Sequence, residues 1–110
     1  MALTINQLLK MQSALSSIEL SLLSNQEKVE DFIEKLKEQK DFYNDKIEAL
    51  YEKCDLTDAQ QEKLDKYEGI NEDLEAFIEE LEVTVNAIDD AKSNCADASS
   101  SIAVLLASLS

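Results

Sequence analysis

Cys54-Asp55-Leu56-Thr57, almost at the midpoint of 110 residues, separates two unbroken apolar repeats of period seven. Before it run Leu8, Leu15, Leu22, Val29, Leu36, Tyr43 and Leu50; after it run Tyr67, Leu74, Leu81, Ile88, Cys95, Ile102 and Leu109. A sustained seven-residue repeat keeps one stripe of an α-helix apolar and implies a left-handed supercoil with a partner helix. Folding back at the hinge pairs residues whose numbers sum to about 110, which places Leu36 near Leu74, Val29 near Leu81, Leu22 near Ile88, Leu15 near Cys95 and Leu8 near Ile102. The expected fold is all-α: a long antiparallel coiled-coil hairpin with helices near 4–53 and 57–108, forming one domain that packs into a larger helical bundle.

Composition agrees. The chain is 45% hydrophobic but only 5% aromatic, with no Pro, no Trp and one Gly, which favours helix and leaves little turn chemistry for sheets. Thr4 with Gln7 and Thr57 with Gln60 have the spacing of capping boxes that open the two helices. Ser24 with Glu27 repeats that spacing. Because the repeat passes through it in phase, the helix is read as continuous, with Asn25 facing the seam as a polar register marker. A kink near Ser24/Asn25 or Gly69 is the alternative to continuous helices. Met11, Ile18, Phe32, Ile33 and Ile47 in the first arm, and Leu64, Ile70, Phe77, Ile78 and Val85 in the second, are read as further core.

Charge is divided along the chain. The net charge is −14, with ten basic residues, all lysine. Residues 1–26 hold one Lys and one Glu, and residues 98–110 hold no charged side chain. A hairpin therefore has a low-charge base, residues 1–26 and 91–110, and an acidic tip half, residues 27–90. Leu9, Leu20 and Leu23 lie off the first seam, and Ala103, Val104, Leu106 and Ala107 make the end of the second helix apolar nearly all round. Two helices alone do not bury such a surface, so these seven residues form the candidate association surface, for a second copy or another helical protein. The competing structural reading is a base that folds on itself as a small bundle, using Ser24 as a corner.

Asp65, Glu68, Glu72, Glu75, Glu79 and Glu82 make an acidic stripe at helical spacing. Such a stripe can imitate a phosphate backbone and fill a basic groove of a nucleic-acid-binding protein, which gives the alternative function of inhibitor or decoy. A solvated face that keeps the protein soluble and disfavours wrong pairings accounts for it as well. Direct nucleic-acid binding lacks its basic footprint.

Chemistry is absent from the inventory. With no His there is no triad, no general-base imidazole and no zinc set, and one Gly cannot build a phosphate loop. Asp55-Leu56-Thr57-Asp58 lacks the turn Gly of a calcium loop. No catalytic residue, cofactor or metal is expected. Cys54 and Cys95 lie at the hinge and on the seam, too far apart for an intrachain disulfide. No leader or transmembrane run is recognisable, and shallow insertion of residues 102–109 is disfavoured by the lack of Lys, Arg or Trp anchors. Folding is expected to be of cytosolic type, with export or incorporation into a particle left open.

In length, helicity and central hinge, nearly the whole chain resembles two groups of assembling helical hairpins: the WXG-type substrates and partners of type VII secretion, and the needle subunits of type III secretion. The resemblance implies a non-enzymatic structural or interaction subunit of a secretion, virion or filament assembly. The chain departs from both patterns. It has no Trp and no Gly at residues 54–57, and it lacks the needle subunits' Pro-containing turn. Tyr51-Glu52-Lys53-Cys54-Asp55 has the Tyr-x-x-x-Asp spacing of the first group's export signal, but at the turn rather than after the second helix.

Overall fold

The structure is a computed structural model that describes residues 2–110. Two helices, α1 (Ile5–Tyr51) and α2 (Asp58–Leu109), pack antiparallel as a hairpin, with no strand among the described residues. Both capping boxes form. The Thr4 and Thr57 backbone N–H groups donate to Gln7 and Gln60 Oε1 at 2.9 and 3.0 Å. The return bonds, from the Gln7 and Gln60 N–H groups to the threonine Oγ1 atoms, are 3.2 Å each. Four otherwise orphaned donors are thereby satisfied, and Thr57 caps α2. At the other side of the turn α1 tightens, the Lys53 N–H reaching the Leu50 carbonyl at 3.2 Å. Residues 52–57 make the turn with no positive-φ residue, which is why neither Gly nor Pro is needed there.

Both helices are continuous at these places: α1 runs through Ser24 and Asn25, and α2 through Gly69. Asn25 is exposed, and the neighbouring Gln26 is the buried polar residue instead.

The buried and half-buried positions follow two lines per helix. On α1 the first line is the expected one, Leu8 to Leu50, and every member is buried or half-buried. On α2 it runs from Tyr67 to Ile102, while Leu109 is exposed. The second line lies four residues beyond the first. It reads Gln12, Glu19, Gln26, Ile33, Lys40, Ile47 on α1 and Leu64, Asn71, Ile78, Val85, Lys92, Ser99, Leu106 on α2. Alternating steps of three and four are the knobs of a coiled coil. Met11, Ile18 and Phe32 on α1, and Phe77 on α2, lie one step to the side and are about half exposed. These four are corrections to the core expected from sequence. Ile33, Ile47, Leu64, Ile78 and Val85 hold the second line, and a continuous helix carries their phase to its other residues.

The register also differs from the mirror about residue 55. Tyr43 and Tyr67 do meet, with ring centroids 5.7 Å apart. Gln26–Asp89, Asn44–Asn71 and Lys40–Glu75, however, pair residues whose numbers sum to 115. Side chains lean toward the N-terminus of their own helix, so antiparallel partners meet at a larger sum than the backbone levels suggest.

Within the hairpin the residues group into two compact units. Unit 1 comprises residues 1–28 and 84–110, and unit 2 comprises residues 29–83. Three lysines and five carboxylates give unit 1 a net charge of −2, leaving −12 on unit 2.

Candidate association surface

In unit 2 the seam is conventional. Ile33, Leu50, Leu64 and Ile78 are buried, and the two tyrosines pack between the helices. One polar layer interrupts it: Asn71 donates from Nδ2 to Asn44 Oδ1 at 2.5 Å, while its own buried Oδ1 has no partner. The two flanks of this unit differ in chemistry. On one, Lys37 pairs with Glu82 at 3.7 Å, Lys40 with Glu75 at 3.5 Å, and the Tyr51 hydroxyl donates to Glu68 at 2.5 Å. That hydrogen bond, then partial desolvation and the nearby carboxylates, raise the Tyr51 pKa above its ordinary value. On the other flank Phe32, Leu36 and Phe77 line a groove together with the Lys35 stem.

The acidic stripe is therefore partly engaged. Glu68 is half-buried beneath Tyr51, Glu75 and Glu82 are paired with lysines of α1, and Asp65 accepts a hydrogen bond from Gln61 at 3.0 Å. Glu72 and Glu79 are exposed.

Unit 1 has the opposite distribution. Its buried apolar side chains are Leu8 and Ile102, and the second seam line carries Gln12, Glu19, Gln26, Lys92 and Ser99. Gln26, 6% exposed, donates from Nε2 to Asp89 Oδ1 at 3.0 Å and accepts from Lys92 Nζ at 2.5 Å. Lys92 also pairs with Asp89 at 3.4 Å, one helical turn away. The Gln26 hydrogen bond first, and then the hydrogen bond and charge of Lys92, hold the Asp89 carboxyl below its ordinary pKa.

Outside the seam, large apolar side chains are exposed. Leu20 is 69% exposed and Val104 67%, and Leu9, Met11, Ile18, Leu23, Leu105 and Leu109 are each between two-fifths and half exposed. Of the seven candidate association residues, Leu9, Leu20, Leu23, Ala103, Val104 and Ala107 are exposed; Leu106 is half-buried on the second seam line. Met11, Ile18 and Leu105 were not among the association residues expected, since Met11 and Ile18 were read as seam. Their spacing three residues beyond Leu8 and Leu15 is the signal that a second apolar line exists.

Among the described residues no helix is long and apolar enough to cross a membrane, and no group of three or more His, Cys, Asp or Glu is placed to hold a metal. Cys54 is exposed in the turn, Cys95 is half-buried on the seam, and both thiols are free. No protein-family model matches the chain, and no curated protein or solved structure is significantly similar to it.

Proposed function

We propose that this protein is a non-enzymatic helical subunit that acts by association, its base packing against a second copy or another helical protein as in a secretion, virion or filament assembly. One observation carries the reading: in unit 1 the second line of the seam is mostly polar, with Gln12, Glu19, Gln26, Lys92 and Ser99, while large apolar side chains lie outside the seam. Moving apolar area out of water contributes about 25 cal/mol per Å². A partner laid over Leu20, Leu23 and Val104 supplies burial that the hairpin itself does not.

The chain exposes 7955 Å². A compact monomer of 12.3 kDa exposes about 6,100 Å², so the hairpin leaves on the order of 1,900 Å² more in contact with water. That excess is of the size that a stable interface buries.

The decoy reading has less behind it. A phosphate mimic needs carboxylates available to basic side chains, and Glu68, Glu75 and Glu82 are already held by Tyr51, Lys40 and Lys37.

The test is the solution mass of the full chain beside that of Leu20→Ser/Val104→Ser. Association above 12.3 kDa that the double variant reduces is the expected result. A full chain that stays monomeric and binds no amphipathic helix overturns the reading.

A further inference from the structure

We infer that the aromatic flank of unit 2 is a second docking site, which takes one amphipathic helix of another protein. That helix carries carboxylates along one edge of its apolar stripe and ammonium groups along the other. The site goes beyond association through the base and does not depend on it.

The chain has three phenylalanines, and all three are about half exposed: Phe32 at 53%, Phe42 at 50% and Phe77 at 48%. Phe32 and Phe77 line one groove with Leu36 and the Lys35 stem. Phe42 lines another with Lys46 and Leu50. Both grooves lie on one flank, because on α1 Phe32 and Lys46 are two heptads apart and Lys35 and Phe42 are one. Aromatic side chains are the usual anchors of an interface, and half exposure leaves much of their apolar area to be covered. A groove between two helices accepts a third, whose side chains at i, i+3, i+4 and i+7 enter it.

Charge selects the partner. On the opposite flank Lys37 pairs with Glu82 and Lys40 with Glu75, so those lysines are spent within the hairpin. On the aromatic flank Lys46 stands over the Phe42 ring, 5.0 Å from its centroid, and Lys35 lies one turn after Phe32. On α2 the corresponding places belong to acids: Asp73 and Glu80 lie one turn before and after Phe77. A helix in the groove therefore meets ammonium groups along α1 and carboxylates along α2. Charges at such flanking positions set partner choice and orientation. A second copy fits poorly. Its unit 2 would set −12 against −12, and its unit 1, with three lysines and five carboxylates over two helices, lacks two charged edges.

The test is fluorescence anisotropy of the full chain with two labelled helical peptides that share one leucine stripe. One has glutamates along one edge and lysines along the other; its companion has glutamines at both. Each is neutral overall, so the chain's charge of −14 favours neither. The mixed-edge peptide can lie in either direction, and one direction brings its carboxylates to α1. It should bind more tightly than the glutamine peptide. Phe32→Ser and Phe77→Ser should each raise its dissociation constant about tenfold or more, the loss of an aromatic anchor. Lys35→Glu should raise it about threefold, the scale of one exposed ion pair, and leave the glutamine peptide within twofold. Leu20→Ser should leave both within twofold. Phe32, Lys35 and Phe77 are exposed, so these variants keep the hairpin, which circular dichroism checks.

Binding that Leu20→Ser removes and Phe77→Ser does not overturns the inference and leaves association through the base standing. Equal effects of Lys35→Glu on the two peptides, or no binding of the mixed-edge peptide, overturn it as well. So does a dimer of the full chain that Phe77→Glu dissolves, because a second copy then fills the groove.

Discussion

Gln26 on α1 and Asp89 on α2 are joined by a 3.0 Å hydrogen bond at a level of the seam where a coiled coil ordinarily places two apolar side chains. Lys92 completes the group from the next turn of α2. A polar layer built on the buried Gln26 costs stability and fixes register, since sliding either helix by a heptad leaves Gln26 unpaired. Acid should reveal it. The Asp89 pKa is lower in the folded chain, so its ionised form favours folding. That contribution is present above the unfolded value of about 3.9 and is lost as pH falls through the lower folded value. Followed by NMR, the Asp89 titration should move back toward the ordinary range in Gln26→Leu. It should stop short of it, because Lys92 remains.

Asn71 in unit 2 poses the converse case. Its buried Oδ1 has no partner, and its one bond is to the exposed Asn44. An unmet buried acceptor costs about 1–3 kcal/mol. Asn71→Leu should therefore stabilise the hairpin by about 1–2 kcal/mol in urea unfolding, with an unchanged dependence on denaturant.

The first seam line was legible in the sequence because Leu8 through Leu50, and Tyr67 through Ile102, each recur every seventh residue without a break. The second was not. Four residues on, α1 offers Gln12, Glu19, Gln26 and Lys40, while three residues on it offers Met11, Ile18 and Phe32, and an apolar-first reading prefers the latter. Helical phase decided otherwise: Ile33, Ile47, Leu64, Ile78 and Val85 lie on the four-residue line, and α1 and α2 are unbroken, so the phase those residues set extends to Gln12, Gln26, Lys92 and Ser99. The association surface was partly legible for the same reason. Leu20 and Val104 belong to neither line and were read as exposed, whereas Met11 and Ile18 were claimed by the wrong line.

Gly69 gives a local test of continuity. A Cβ built there meets nothing within 4 Å, and the residue lies within α2 at ordinary negative φ. Gly69→Ala should raise stability by about 0.5–1 kcal/mol, seen as a higher melting temperature, with no change in association. A loss of stability would mean that α2 needs to bend there.

Folding and association should separate by residue in unit 1. Leu8, 2% exposed, is the most completely buried side chain, and Leu8→Ala should cost about 2–5 kcal/mol of folding free energy. Leu20→Ala, at a site mostly in solvent, should leave the unfolding of a dilute sample within about 0.5 kcal/mol. The same variant should weaken association measured by light scattering. Equal effects of the two on unfolding would mean that Leu20 is covered within the single chain.

The most direct test of association through the base is amide hydrogen exchange of the full chain, resolved along the sequence, as its concentration is raised. Residues 1–28 and 84–110 should gain protection with concentration while residues 29–83 keep theirs, because the surface being covered belongs to unit 1. Protection that is independent of concentration in residues 1–28 and 84–110, or a gain confined to residues 29–83, would contradict it.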